Sequence, residues 1–316
     1  MIHRTGLGEQ HAVGVAEKLV KKLYGNNVAV RRAVADALRQ IGNPAVASLT
    51  EKLKDRNPDV REPAIYALGR MGECAVLPLL ELLGGKKRVA AESAARALGE
   101  IGDARAVEPL IERLVTRNSD IRRAAADALG RIGDARAVEP LRKLLYNRNS
   151  TVRRAAADAL RRIGRPAVES LLEMMKDNRQ APLQCAVYAL GRIGDTRAVE
   201  PLLGKLGSDN PVVRQASADA LGEIGDARAV EPLIERLRDD KEAVVKSAVY
   251  ALGRIGDTRA VEPLLGKLDD KDREVRLFAA YALDEMGHTG ERATSKDHPG
   301  THGTVSLNRH GDEHRR

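Results

Sequence analysis

Residues 186–206 read AVYALGRIGDTRAVEPLLGKL, and residues 248–268 repeat this stretch letter for letter. Shorter versions recur along most of the chain, each with a glycine directly after an apolar residue. These nine marker glycines are Gly42, Gly72, Gly102, Gly133, Gly164, Gly194, Gly225, Gly256 and Gly287. The steps between them are 30 or 31 residues, and such a fixed period predicts an array of one supersecondary unit.

Each unit is expected to form two short helices. In the eighth unit, the apolar residues of the first segment fall on one side of a helix: Val244, Ala248, Ala251, Leu252 and Ile255. Gly256 is expected to end that helix by taking a positive φ, and Asp257 is expected to cap the next segment. Val261, Leu264, Leu265 and Leu268 then recur at helical spacing. Strands have no place in this pattern.

The array needs ends of a different kind, because a single helical pair buries too little apolar surface to fold alone. We expect residues 1–27 to form an irregular leader followed by a capping helix at about residues 15–24. Residues 28–287 are expected to form the array. Residues 288–316 lack apolar periodicity and are rich in glycine, threonine and polar residues, so this tail is predicted to be disordered.

Composition limits the class of protein. Only seven of the 316 residues are aromatic, so the core must be aliphatic, and the net charge of +8 comes from 53 basic and 45 acidic side chains. Cys74 and Cys185 lack the spacing of a metal or redox motif and are expected to be reduced thiols. No long apolar run occurs, and we expect a cytoplasmic protein.

The consensus VRxxAAxALGxIGDxRAVEPLLxxL, seen plainly at residues 122–141, resembles the phycobilisome-lyase-type HEAT-like repeat. The resemblance covers roughly residues 15–287 and implies an all-α fold, a right-handed α-solenoid of about nine two-helix repeats. It also implies that the helix ending at the marker glycine lines a concave face where protein partners bind.

The resemblance extends to enzymes, namely deoxyhypusine hydroxylase and bilin lyase subunits, and an accessory or modifying subunit of that kind is the alternative function. The hydroxylase needs His-Glu pairs to hold iron. No histidine lies between Val28 and Gly287, and no His-Glu dipeptide occurs anywhere in the sequence. We therefore predict no catalytic residue, no metal site and no cofactor, and the expected class is a non-catalytic scaffold or adaptor.

Three positions of each unit are expected to face away from the core: ten, six and two residues before the marker glycine. We call these 27 positions the stripe. Four of the six tyrosines occupy its middle position, and tyrosine and arginine are favoured in protein interfaces. The predicted partner-binding residues are Tyr66, Arg70, Arg96, Arg131, Arg162, Tyr188, Arg192, Lys246, Tyr250, Arg254 and Tyr281. The alternative is that the tyrosines only cover neighbouring helices.

A nucleic-acid groove is the less favoured interpretation of the stripe. The stripe holds ten basic and nine acidic residues, where a phosphate-binding surface needs one sign of charge. Arg123, Asp127 and Arg131 are spaced to neutralise one another within one helix. Arg154, Arg161, Arg162 and Arg192 remain as a local basic patch.

Other recurring residues are expected to be structural. An arginine lies eleven residues before six marker glycines, and an aspartate follows five of them, which predicts a ladder of Arg-Asp pairs between repeats. The arginines are Arg31, Arg61, Arg122, Arg153, Arg214 and Arg276, and the aspartates are Asp103, Asp134, Asp195, Asp226 and Asp257. In the tail, His298 and His302 are four residues apart, as are His310 and His314, and the nearby glycines argue against a helical metal site.

Overall fold

The computed structural model describes residues 3–23, 28–176 and 179–288. These residues form eighteen α-helices and seven 3₁₀ turns, with no strand among them. The helices are α1 (His3–Lys22), α2 (Val28–Ile41), α3 (Asn43–Lys52), α4 (Pro58–Met71), α5 (Val76–Gly84), α6 (Arg88–Ile101), α7 (Val107–Arg113), α8 (Ser119–Ile132), α9 (Val138–Leu144), α10 (Ser150–Ile163), α11 (Val168–Met174), α12 (Gln180–Ile193), α13 (Val199–Lys205), α14 (Pro211–Ile224), α15 (Val230–Arg236), α16 (Glu242–Ile255), α17 (Val261–Leu265) and α18 (Arg273–Glu285). The prediction of an all-α solenoid is confirmed.

The even-numbered helices from α2 to α18 each end at or within two residues of a marker glycine, and we call them the marker helices. All nine marker glycines have φ between 70° and 79°, a region that glycine enters more readily than any other residue. The odd-numbered helices from α3 to α17 are the second helices of each unit. Most of them are seven residues long and follow a 3₁₀ turn.

Side-chain caps fix where both kinds of helix begin. The side chain of Asn118 accepts hydrogen bonds from the backbone N–H groups of Asp120 and Ile121 at the start of α8. As predicted, Asp257 caps the turn before α17, by accepting from the backbone N–H of Arg259. Asp134 does the same for the turn before α9. Such caps occur at many of the unit boundaries, although α6, α12 and α16 begin without one, so the sequence sets many of the helix limits locally.

Successive marker helices stack with their backbones almost in contact. A Cβ placed on Gly130 of α8 would lie 2.6 Å from the Cα of Ala159 in α10, and one on Gly222 of α14 would lie 2.6 Å from the Cα of Ala251 in α16. Real side chains never come so close, so these positions accept glycine alone. The second helices do not stack on one another in this way.

One aliphatic core runs through the stacked units, from Ala16 in α1 to Leu283 in α18. Leucine fills the central positions, for example Leu98, Leu129 and Leu160, which are completely buried. Helix α1 packs on α2 and α3 and covers this end of the core. The helix begins at His3, so the expectation of an irregular leader is wrong from that residue onward. Once a helix has nucleated, each further turn adds hydrogen bonds at little cost.

The arginines of the predicted Arg-Asp ladder bind groups other than the expected aspartates. The arginine eleven residues before the marker glycine binds the loop in front of its own helix: Arg122 Nη1 donates to Thr116 O at 2.6 Å, and Arg153 Nη1 donates to Asn147 O at 2.8 Å. Arg61, Arg214 and Arg276 make the same kind of contact. The ladder prediction is therefore wrong for Arg61, Arg122, Arg153 and Arg276. Arg214 does pair with aspartates beyond its own loop, Asp239 and Asp240, both at 2.8 Å, but neither of them follows a marker glycine. The side chain of Arg31 lies outside the described residues.

The aspartates after the marker glycines pair instead with the arginine two residues later. Asp134 accepts from Arg136 Nη2 at 2.8 Å. Arg136 in turn reaches the preceding unit, where its Nη1 lies 3.3 Å from Glu108 Oε1. Arg228 repeats this contact with Glu200, at 3.2 Å. A ladder of ion pairs between units therefore exists, but it uses the arginine of the RAVEP segment.

The described residues include no helix long and apolar enough to span a bilayer. The tail prediction concerns residues 288–316, of which all but His288 lie outside the described residues, as do the His298–His302 and His310–His314 pairs.

Candidate interaction site

The stripe positions lie on the outer surface of the marker helices. Tyr66, Tyr188 and Tyr281 are 38%, 44% and 52% exposed, whereas Tyr250 is half-buried. None of the four tyrosines lies in the aliphatic core. The register predicted from the 3.6-residue period is therefore right, and the rings are available on one face of the stacked helices.

Seven of the ten basic residues of the stripe pair with acidic residues on a neighbouring marker helix. Arg70 Nη2 lies 3.0 Å from Asp36 Oδ1, and Arg96 Nη2 donates to Glu62 Oε2 at 2.6 Å. Five further basic residues of the stripe are paired across helices: Arg131 with Glu100, Arg162 with Asp127 at 3.7 Å, Arg192 and Arg254 with Glu223 at 3.4 and 3.5 Å, and Lys246 with Glu274. The stripe is thus a lattice of ion pairs between units.

This lattice corrects one expectation from the sequence. Arg123, Asp127 and Arg131 do not neutralise one another within α8, because Arg131 turns to Glu100 of α6 and Arg123 lies 3.6 Å from Asp120. Asp127 instead faces Arg162 of α10. Marker helices stacked backbone to backbone bring side chains of adjacent helices closer than the i, i+4 spacing of one helix does. Charge balance therefore holds, but between units.

Burial and hydrogen bonding shift the pKa values of several stripe carboxyls in opposite directions. The hydrogen bond from Arg96 lowers the pKa of Glu62. Desolvation raises the pKa of Asp127 in spite of the nearby arginines, and it raises the pKa of Asp219 as well. Where the guanidinium donates directly, the carboxylate is stabilised, and where it only lies nearby, burial dominates.

Two adjoining cavities open onto the stripe in the C-terminal half. The first, of about 430 Å³, lies between α12 and α14 and is lined by Gln184, Tyr188, Gly191, Arg192, Ala216, Asp219, Ala220 and Glu223. The second, of about 380 Å³, is lined by Gln215, Asp219, Ala243, Lys246, Ser247, Tyr250 and Phe278. Asp219 lines both, so the two cavities form one trough, which we call the Tyr188–Tyr250 trough. The predicted residues Tyr188, Arg192, Lys246 and Tyr250 all meet there.

Hydrogen bonds hold two of the trough's rings. The hydroxyl of Tyr188 donates to Asp158 Oδ1 of α10 at 3.0 Å, and burial with this bond raises its pKa. The guanidinium of Arg254 is hydrogen-bonded to the hydroxyl of Tyr250. A ring that is fixed in this way loses little entropy when a ligand stacks on it.

The remaining predicted residues lie away from the trough. Tyr66, Arg70, Arg96, Arg131 and Arg162 belong to the N-terminal half of the stripe, and Tyr281 lies on α18 with Glu285 as its hydrogen-bond partner. Glu92, Arg96, Glu100, Arg123, Asp127 and Arg131 surround a separate cavity of about 390 Å³. That cavity has no aromatic ring among its lining residues.

Asp219, Ser247 and Phe278 of the trough were not among the predicted site residues. A signal for Phe278 exists in the sequence, since the only phenylalanine lies nine residues before its marker glycine, where the three preceding units have Cys185, Ala216 and Ser247. For Asp219 the sequence gives no such signal, because aspartate also occupies the same position in other units. The environment of Asp219 depends on which side chains of the neighbouring helices turn toward it.

Neither cysteine is positioned as a nucleophile. Cys74 and Cys185 are both free thiols. Burial raises the pKa of Cys185, which disfavours the thiolate. Within residues 3–23, 28–176 and 179–288, no group of three or more metal-ligating side chains is found.

The repeats match the family model of HEAT repeats over residues 16–90, 76–161, 117–184, 168–252 and 246–296. The chain therefore belongs to the HEAT-repeat family. The search of curated proteins gives no match to this sequence.

Solved structures show the same architecture. Importin beta is 16% identical with a TM-score of 0.59, over 85% of this chain and 43% of that one. YibA from E. coli is 19% identical with a TM-score of 0.51, over 83% of this chain and 98% of that one. The CpcE–CpcF phycocyanin lyase complex of Nostoc sp. PCC7120 is 23% identical with a TM-score of 0.45, over 47% of this chain and 99% of that one. At these identities the likeness to importin beta and YibA concerns the fold alone, and it agrees with the solenoid assignment.

Proposed function

We propose that this protein is a non-catalytic scaffold whose marker helices form a concave face that binds a segment of a partner protein. The observation that carries the proposal is the Tyr188–Tyr250 trough, where two fixed rings and a carboxylate line an open cavity. Hot spots of protein interfaces have this composition, with tyrosine and arginine in a partly desolvated pocket.

The packing of the helices supports a concave face on the side of the stripe. The marker helices approach one another to the limit set by Gly130 and Gly222, and the second helices stack less closely. In a curved array the more closely spaced layer lies on the inside of the bend. The stripe would therefore face inward, where a bound segment touches several units at once.

Fold likeness agrees with this function at the level of the class. Importin beta has the same kind of solenoid. The structure of the Kap95:Nup1 complex is also similar to this chain, with 13% identity and a TM-score of 0.57 over 87% of this chain and 45% of that one. A protein partner in the groove and a cytoplasmic location are parts of the same proposal.

The alternative is an accessory or modifying subunit related to bilin lyases or deoxyhypusine hydroxylase. It is favoured only by the repeat type, and fold does not imply function. Nucleic acid is the weaker alternative, because the predicted basic residues of the stripe are engaged by carboxylates. Such pairs would have to be broken before phosphates could bind.

Affinity capture from native lysate tests the proposal with the full chain as bait. The double variant Tyr188→Ala/Tyr250→Ala is expected to weaken a captured protein partner at least about tenfold, since two interface hot spots are removed. Val115→Ala is the control, because Val115 is 87% exposed and lies outside the stripe. Binding constants for the captured partner are then measured by surface plasmon resonance.

A partner that binds the double variant as tightly as the unchanged chain would contradict the proposal. A bilin or iron that co-purifies in stoichiometric amount would favour the modifying subunit. Binding that falls steeply with salt and concerns DNA or RNA would favour the nucleic-acid interpretation.

A further inference from the structure

The carboxylate of Asp219 lacks a cationic partner among the described residues. It lies at the middle position of the stripe on α14, and the hydroxyl of Ser247 is its hydrogen-bond donor. The like charge of Glu223 also disfavours its ionised form. No Lys or Arg nitrogen of the described residues lies within salt-bridge distance of it.

The other aspartates at the same stripe position are placed differently. Asp36 lies 3.0 Å from Arg70, Asp127 lies 3.7 Å from Arg162, and Asp158 lies 3.8 Å from Arg161. Asp158 also accepts the hydroxyl of Tyr188. Of the four aspartates at the middle position of the stripe, three therefore have an arginine beside them, and among the described residues Asp219 does not.

The basic residues that line the trough point to other carboxylates. Arg192 and Arg254 both contact Glu223 Oε2, at 3.4 and 3.5 Å. Lys246 binds Glu274 on α18 and lies 3.8 Å from Asp272. The trough thus keeps one carboxylate uncompensated, although two cations, Arg192 and Lys246, lie along its walls.

Aromatic rings occur on both sides of this carboxylate. Asp219 lines the cavity of Tyr188 as well as the cavity of Tyr250 and Phe278. Ring faces attract cations, and more strongly when water is partly excluded. An uncompensated carboxylate between rings is complementary to a cation carried on an apolar stem, and such a group occurs on the side chains of lysine and arginine.

We propose that the Tyr188–Tyr250 trough binds a lysine or arginine side chain of a partner protein, with the cation at Asp219 and the stem against the rings. This rests on the proposed function of the stripe, whose partner it specifies as a segment bearing a basic residue. An acidic segment would bring a second negative charge to Asp219, and the backbone phosphates of nucleic acid would do the same.

The probe is a set of blocked peptides, acetyl-Gly-Ser-X-Ser-Gly-amide, in which X is Lys, Arg, Gln or Glu. The full chain is labelled with 3-fluorotyrosine, and its six tyrosine signals in ¹⁹F NMR are assigned by single Tyr→Phe variants. The Lys and Arg peptides are expected to shift the signals of Tyr188 and Tyr250 and to leave Tyr66 unchanged. The Gln and Glu peptides are expected to shift none of them.

The variant Asp219→Asn tests the carboxylate itself, because it keeps the shape of the side chain and removes its charge. Affinity for the Lys peptide should fall at least about fivefold, as expected for a lost charge-assisted contact. Asp127→Asn is the matched control, since it removes the charge at the same stripe position beside an arginine. Its affinity for the Lys peptide should stay within about twofold of the unchanged chain.

Equal shifts with the Gln and Lys peptides, or an unchanged affinity in Asp219→Asn, would overturn the proposal. So would movement of the Tyr188 and Tyr250 signals, without peptide, when the Lys and Arg residues within 289–316 are changed to Gln, since the occupant would then be the chain's own tail. Signals that depend on protein concentration would point to a second copy and equally overturn it. If the Lys and Arg peptides do not bind while Tyr188→Ala/Tyr250→Ala still abolishes partner capture, the proposed scaffold function stands. Only the proposal that the trough binds a basic side chain is then refuted.

Discussion

The fourth and fifth units differ at a few positions, and those positions alter how the array holds together. Residues 122–141 read RRAAADALGRIGDARAVEPL, and residues 153–171 read RRAAADALRRIGRPAVESL. Gly130 in the fourth unit is replaced by Arg161 in the fifth. The turn GDARAV is also shortened by one residue to GRPAV.

The first difference concerns the stacking of marker helices. Gly130 lets α8 lie against the Cα of Ala159 in α10. Arg161 cannot permit such an approach, and α12 packs less closely on α10 than α10 does on α8. The hydrogen bond from Tyr188 to Asp158 also joins α10 and α12. The trough lies one step further along, between α12 and α14, where close backbone contact resumes: a Cβ on Gly191 would lie 2.6 Å from the Cα of Ala220.

The second difference concerns the ladder of ion pairs. In the fourth unit, Arg136 joins Asp134 to Glu108 of the preceding unit. The shorter turn of the fifth unit has no aspartate, and Ser170 Oγ donates to Glu139 Oε1 at 2.6 Å in its place. The ladder resumes after the fifth unit with Arg197, which lies 3.7 Å from Glu169. A single residue removed from a turn thus changes the kind of contact between units.

The largest effect is expected from Gly130→Ala. The added Cβ would lie 2.6 Å from the Cα of Ala159, and overpacking of this kind costs roughly 2 kcal/mol or more. We expect a fall of several degrees in the melting temperature measured by circular dichroism. Gly204→Ala is the control, since nothing lies within 4 Å of its new Cβ in α13, and it should stabilise the protein by about 0.5–1 kcal/mol. Equal effects of the two variants would refute the role of close backbone contact.

A smaller effect is expected when the marker glycines of the fourth and fifth units, Gly133 and Gly164, are replaced by asparagine. Gly133 has φ 76° and ψ 14°, a left-handed conformation that asparagine accepts, whereas Gly164 has φ 79° and ψ −135°. The latter region is essentially restricted to glycine. Gly164→Asn should therefore lower the free energy of unfolding by about 2 kcal/mol, and Gly133→Asn by less than about 1 kcal/mol. Urea unfolding measures both, and a larger cost at Gly133 would show that turn length does not select the glycine conformation.

The smallest effect concerns the pH dependence of the stability that the aspartates after the marker glycines contribute. The fifth unit has no such aspartate. Hydrogen bonds from the side chain and backbone of Arg197 lower the pKa of Asp195 to about 2, compared with about 3.9 in an unfolded chain. A lowered pKa stabilises the fold above about pH 4, and this contribution disappears as the pH falls to about 2. Asp195→Asn should lower the melting temperature by no more than about 2 °C at pH 7, because exposed ion pairs contribute little.

The melting-temperature difference between Asp195→Asn and the unchanged chain should be constant from pH 7 to 5 and vanish near pH 2. The difference in melting temperature between Arg197→Ala and the unchanged chain should decrease toward pH 2 in the same way, since this variant removes the other half of the ion pair. A difference that persists at pH 2 would mean that the carboxylate acts through something other than its charge.

Much of this protein was determined by the sequence alone. The spacing of Gly225 and Gly256, the cap at Asp257 and the apolar period of each helix act over a few residues, so they predicted the helices, the turns and the outward stripe. Which charges meet was decided only by the tertiary structure. Arg162 lies beside Asp127, while Asp219 has no cation beside it in the part of the chain that the structure describes. Backbone contact between marker helices brings together side chains about thirty residues apart, a distance at which local periodicity carries no information on partners.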